Sequence, residues 1–205
     1  MKQFKTLSSR MVPLPGNNMD TDQIIPARFL KATSREGFGE NLFRDRRDTR
    51  DGSLVADFPL NNPLFSGSIL LAGSNFGCGS SREHAAWAIL GAGYQVVISS
   101  GFADIFRNNA LNNALLPVEL KEEWIEHLFN LCITNPEAEF VVDLRKQTLE
   151  LTGVLCYPFH IPEFKRQALL KGEDDIDYLI GLRNKIESYE TTSTYLSIVT
   201  THSHA

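Results

Sequence analysis

The sequence predicts an α/β fold, and three observations carry that prediction. Two short apolar runs, Ser68-Ile69-Leu70-Leu71-Ala72 and Gln95-Val96-Val97-Ile98-Ser99, read as buried strands, and a glycine-rich loop and a helix-patterned stretch separate them. That order is a βαβ unit, which implies a parallel pair joined by a right-handed crossover. A second helix over residues 102–113 leads into a strand over 115–119 and repeats the order. Residues 140–144 and 148–151 alternate around Arg145-Lys146-Gln147, the pattern of an antiparallel hairpin.

Each element has its own warrant. Residues 11–18 (MVPLPGNN) hold two Pro and a Gly and read as a short strand or loop ending in a turn. In Asp20-Thr21-Asp22-Gln23-Ile24-Ile25-Pro26, Thr21 or Asp22 is the expected cap of a helical turn that Pro26 interrupts. Residues 28–51 are dense in charge and contain Gly37 and Gly39. Such a segment is either a functional loop or a solvated connector with a short helix near 40–44. A helix fits residues 82–90, with Ala85, Ala86, Ile89 and Leu90 apolar and with Gly91 and Gly93 to stop it. Residues 122–131 are amphipathic through Trp124, Ile125, Leu128, Phe129 and Leu131, and 162–171 and 176–187 also read as helices. The chain from Thr191 onward is rich in Ser and Thr and is expected to be a poorly ordered tail, 191–205. No internal repeat is visible.

Composition narrows the function. At 205 residues, with 42% hydrophobic and 22% charged, the chain is a globular domain and not a disordered one. The formal charge of −5 argues against a general nucleic-acid binder, which needs a basic footprint. Neither a targeting signal after Met1-Lys2-Gln3-Phe4-Lys5 nor an apolar run approaching the ~20 residues of a membrane span is visible, so a soluble cytoplasmic protein is expected. The three cysteines, Cys78, Cys132 and Cys156, form no CxxC pair. That argues against a disulfide framework, a closed zinc site or an iron–sulfur cluster ligated by this chain alone.

The sharpest constellation is Gly77-Cys78-Gly79-Ser80-Ser81-Arg82-Glu83-His84. Ser80 followed by Glu83 spells a capping box, which would make Ser80 the N-cap of the helix behind it. A helix N-terminus exposes free N–H groups at the positive end of the dipole, and two hydroxyls and a guanidinium add donors. The loop therefore suits an anionic ligand. It is no phosphate loop, because no Lys precedes a Ser or Thr after the glycines, and GxGxxG fails because Arg82 stands where the third Gly is needed. The plain alternative is a well-capped helix without a ligand. Cys78 could be activated by the helix end and Arg82, but a small packed residue is the expectation. His84 is expected to be structural, Asn108, Asn109, Asn112 and Asn113 to satisfy packing, and Asp20-Thr21-Asp22 to form a turn or cap and not a metal site.

These residues resemble a known family. The GSSRE segment, the upstream Asp20-Thr21-Asp22-Gln23-Ile24-Ile25-Pro26, then Phe102-Ala103-Asp104-Ile105-Phe106, Asn109, Asn112-Asn113 and Leu115-Leu116-Pro117-Val118 resemble the small subunits of 3-isopropylmalate dehydratase. Those subunits are similar to the swivelling domain of aconitase. The resemblance runs from about Phe4 to Glu187. It implies a three-layer β/β/α swivelling domain with a mostly parallel core sheet, spanning 1–190. It implies a lyase that interconverts 2-isopropylmalate and 3-isopropylmalate in leucine biosynthesis, within branched-chain amino acid biosynthesis. Such a heterodimer carries its [4Fe–4S] cluster in the large subunit, so no cofactor is expected on this chain. Ser80 would be the base that takes the carbon-bound proton, and Ser81 and Arg82 would bind a carboxylate of the small dicarboxylate substrate. The substrate loop would match about 28–38, with Phe29 and Leu30 toward the isopropyl group and Arg35 close to the position of an aconitase Arg. Related hydro-lyases acting on citraconate/methylmalate or homoaconitate, and a non-catalytic anion-binding module, are the alternatives.

Overall fold

The computed structural model describes residues 2–31 and 35–192. In chain order the elements are β1 (Thr6–Ser9), β2 (Met11–Leu14), α1 (Thr21–Ile24), α2 (Arg44–Arg47), β3 (Ile69–Ala72), α3 (Glu83–Gly91), β4 (Val96–Ser99), α4 (Asp104–Asn112), β5 (Leu116–Glu119), α5 (Glu122–Thr134), β6 (Phe140–Asp143), β7 (Thr148–Leu151), β8 (Leu155–Pro158), α6 (Glu163–Lys171), α7 (Asp175–Gly181) and α8 (Arg183–Thr192). Single 3-10 turns lie at Ala27–Phe29, Phe38–Asn41 and Pro59–Asn61.

Two four-stranded sheets organise these pieces. One is parallel throughout, in the order β2-β3-β4-β5, and the other is antiparallel, in the order β1-β6-β7-β8. Pro13 and Pro117 fall on β2 and β5, the two edges of the parallel sheet, where a missing N–H costs no ladder bond. The parallel sheet is buried on both faces, which is why its strands are continuous apolar runs without polar alternation. Val12, Leu14, Leu70, Ala72 and Val97 pack with Ile24, Phe43, Ile89 and Phe106 in one core. Met11, Ile69, Leu71, Val96, Ile98 and Val118 pack with Leu128 of α5 and with Phe140, Val142 and Leu149 of the antiparallel sheet in the other. A helical layer, the parallel sheet and the antiparallel sheet are thus the expected three layers, with α5 against the same sheet face as the antiparallel strands.

Several local expectations are corrected. The outer strands β1 and β8 were not legible: both are edges of the antiparallel sheet and bury no residue fully, so neither shows an apolar run. The stretch expected as one helix over 176–187 is two, divided at Leu182. Asp174 opens α7 with a capping box closed by Asp177. Thr191 and Thr192 belong to α8 and not to a tail, and both hydroxyls donate to the Ser188 carbonyl at 2.9 Å. The remainder of the expected tail, 193–205, lies outside the described residues. The cap of α1 is Asp20, not Thr21 or Asp22: its Oδ1 accepts the Gln23 N–H at 2.7 Å, while Thr21 is buried.

The charged segment is seated rather than loose. At Gly39 the backbone of the 3-10 turn lies so close to α3 that a Cβ there would stand 2.1 Å from the Gly91 carbonyl carbon. Phe38, Leu42 and Phe43 are buried in the core beneath it.

Candidate active site

The loop leaving β3 is held at two points by the segment that follows β4 and by the last residue of that strand. The Ser99 hydroxyl donates to the Gly73 carbonyl at 2.6 Å, and the Phe76 N–H to Gly101 at 2.9 Å. Gly77 has φ +76°, which disfavours any L side chain, and a Cβ there would stand 2.2 Å from the Phe106 ring. Its N–H donates to the Met19 carbonyl at 2.7 Å. Thr21 then reaches across twice, its N–H to the Cys78 carbonyl at 2.9 Å and its hydroxyl to the Ser80 carbonyl at 3.0 Å. Asp20 and Cys78 form a parallel bridge. The two segments singled out in the sequence, more than fifty residues apart, are therefore one structure.

The turn that follows presents its side chains to solvent. Ser80 and Ser81 are exposed, and among the described residues neither hydroxyl has a hydrogen-bond partner. The Arg82 side chain is only 18% exposed and forms an ion pair with the exposed Asp22. A pair with one partner in water contributes on the order of 0.2–1 kcal/mol, so it is cheaply shared with an incoming anion. Asp22 is the site residue that sequence reasoning missed. Its acidic neighbourhood read as a turn, and only the fold brings it to Arg82.

The capping box is not formed. Helix α3 begins at Glu83 with Arg82 as its N-cap residue and no side-chain cap. The Ser80 carbonyl accepts the Arg82 N–H at 2.9 Å, so residues 80–82 make a tight turn outside the helix. The Glu83 carboxylate faces α4 instead, accepting the Asn113 amide at 2.8 Å. The helix end is thus left without a side-chain acceptor, which suits an anion better than the capped version would.

Phe29, Leu30 and Arg35 do not join this turn in the described contacts. Phe29 and Leu30 are half-buried against the core, and the Arg28 guanidinium lies 4.6 Å over the Phe29 ring. Arg35 sits 4.7 Å over the Trp87 ring with its Nη2 3.9 Å from Glu83 Oε1. His84 packs its ring on Trp87 and Phe38, a structural role as expected. Asn112 accepts from Lys165, and Asn113 bonds Trp87 and Glu83, so both Asn side chains are tied into packing. Cys78 is half-buried and Cys156 exposed, whereas burial pushes the Cys132 thiol up to about 12. Among the described residues no group of three or more His, Cys, Asp or Glu converges as a metal site. No described helix is long and apolar enough to cross a membrane.

Comparison with known proteins agrees with this geometry. The Aconitase C-terminal domain family matches residues 1–123, which contain both segments of the site. The chain is 56% identical to the 3-isopropylmalate dehydratase small subunit of Cytophaga hutchinsonii over 97% of its length and 100% of that protein. It is 51% identical to the protein of the same name from Christiangramia forsetii, over 93% of each. The crystal structure of 3-isopropylmalate dehydratase from Methanocaldococcus jannaschii matches with a TM-score of 0.63 at 26% identity, covering 90% of this chain and 99% of that one. Two sheets, a glycine loop buttressed by Thr21 and near-complete overlap with these relatives lead to one conclusion: the chain belongs to the family of 3-isopropylmalate dehydratase small subunits, hydro-lyase subunits of the aconitase family.

Proposed function

We propose that this chain is the small subunit of a two-chain hydro-lyase. The enzyme interconverts 2-isopropylmalate and 3-isopropylmalate by dehydration and rehydration, a cytoplasmic step of leucine biosynthesis, and it turns over only with its large subunit. The carrying observation is the pair of unpartnered, exposed hydroxyls of Ser80 and Ser81 beside Arg82, at the uncapped N-terminus of α3. A turn so furnished and so open is half of a site, and a second surface must cover it.

Ser80 takes the carbon-bound proton. A serine hydroxyl is a poor base in water, and the alkoxide it needs is favoured by the helix end and the Arg82 charge once water is excluded. Ser81 and Arg82 hold a substrate carboxylate. Asp22 engages Nη1 of Arg82, which leaves Nη2 and Nε to grip a carboxylate in bidentate fashion. Phe29 and Leu30 take the isopropyl group, and Arg35, in the pose it holds over Trp87 and beside Glu83, borders the substrate from the same loop. A [4Fe–4S] cluster held by the large subunit would supply Lewis acidity toward the leaving hydroxyl. Residues 1–190 move as one swivelling unit.

The test is a turnover assay of the chain reconstituted anaerobically with its large subunit, on isopropylmalate, citraconate and homoaconitate in parallel. Isopropylmalate is expected to give the highest kcat/KM, and the lone chain is expected to be colourless and inactive. Turnover by the lone chain, or preference for another acid, overturns the reading.

A further inference from the structure

One carboxylate oxygen beside the reaction turn collects an unusual set of partners. Oε1 of Glu83 accepts the Asn113 amide at 2.8 Å and the Trp87 indole N–H at 3.3 Å, and it faces Arg35 Nη2 at 3.9 Å. The network is closed: the Trp87 indole also donates to Asn113 Oδ1 at 3.0 Å, and the Asn113 amide to the Asn109 carbonyl at 2.8 Å. Asn113 is the C-cap residue of α4, and Glu83 is the first residue of α3, directly after Arg82. One side of Glu83 therefore ties the first turn of α3 to the end of α4. Its other side faces the charged segment, whose Arg35 also lies over the Trp87 ring.

We propose that Glu83 is a positioning residue that couples two parts of the site: through Asn113 and Trp87 it fixes the Ser80–Arg82 turn, and through Arg35 it anchors the substrate loop to that turn. The inference rests on the assignment of Ser80 to Arg82 as the reacting turn. Its physical basis is that helix capping is not available to hold this turn. Ser80 does not cap α3, so the orientation of the first helical residue is set by side-chain bonds to another helix. Small displacements of such a turn are costly in rate even when the fold survives.

The reconstituted two-subunit enzyme separates the two roles. Glu83→Gln keeps an acceptor for Asn113 and Trp87 and loses only the charge facing Arg35. It should raise KM for isopropylmalate about threefold, with most of kcat retained. Asn113→Ala leaves the charge and breaks the tie to α4, and it should lower kcat about tenfold with KM near wild type. Glu83→Ala should show both effects, with a melting temperature close to that of Glu83→Gln. Ser80→Ala, measured alongside, reads the underlying assignment by itself. Loss of turnover there together with wild-type kcat in Glu83→Ala overturns this inference alone. Equal kcat losses in Glu83→Gln and Glu83→Ala also overturn it, because the bonds that Gln retains would then count for nothing.

Discussion

Ser80 and Cys132 mark the two extremes of environment for a nucleophilic side chain in this protein. Ser80 stands exposed with its carbonyl pinned by Thr21, so its hydroxyl is free to turn while its backbone is not. Replacement by Ala removes one oxygen and no described contact. Ser80→Ala should therefore cut kcat by roughly 10²-fold or more, while the variant still co-purifies with the large subunit. Retention of near-native kcat would refute Ser80 as the base. Cys132 is buried in the core on α5, and its thiol is held neutral. A thiol reagent at pH 8 should label Cys156 rapidly and Cys78 slowly, and Cys132 only after denaturation, as mass spectrometry of the labelled peptides would report. At this scale the sequence was informative wherever a motif was contiguous. Ser80, Ser81 and Arg82 could be singled out from adjacency. Asp22 could not be assigned to Arg82, because sixty residues separate them and that distance is closed by the Asp20–Cys78 bridge and the Thr21 and Gly77 bonds of the fold.

Among the elements, α3 depends most on what surrounds it. Its N-terminus is presented by a loop whose path is set by Gly77, and Phe106 of α4 fills the space that a side chain there would need. Gly77→Ala combines a disfavoured φ with a clash against a buried ring and should destabilise the chain by about 2–4 kcal/mol. A denaturant midpoint unchanged from wild type would contradict the packing described. The strands β3 and β4 were legible because full burial makes each a nearly uninterrupted apolar run, and β5 because its buried Leu116, Pro117 and Val118 repeat that pattern before the exposed Glu119. β1 and β8 were not, because edge strands that bury little leave no pattern to read. The cap of α3 was misread for a different reason. Ser80 and Glu83 have the spacing of a capping box, but the Thr21 hydroxyl and Asn113 compete for the Ser80 carbonyl and the Glu83 carboxylate, and tertiary contacts prevail.

As a whole molecule, the chain is two sheets that share one of its two cores, with the exposed Ser80–Ser81 turn leading into α3. Cys132 and Tyr94 are both pushed up to about 12 by burial, from ordinary values of 9.0 and 10.0. Both folded values lie above the unfolded ones, so the neutral forms support the fold fully below pH 9, and that support is lost as pH rises from 9 toward 12. Urea midpoints should therefore fall over this range, and Cys132→Ala should show a shallower fall; an identical slope would argue against burial as the cause. The layer architecture was foreseeable from the βαβ order and the family resemblance, whereas the position of the segment over residues 28–51 was not, since its polar composition fits a solvated connector equally well. Its seat is the backbone contact between Gly39 and Gly91, where no side chain intervenes. That contact limits what may stand in the segment. A chimera importing it from a relative must bring glycine at position 39 against Gly91 and apolar side chains matching the buried Phe38, Leu42 and Phe43, or it will not dock on α3.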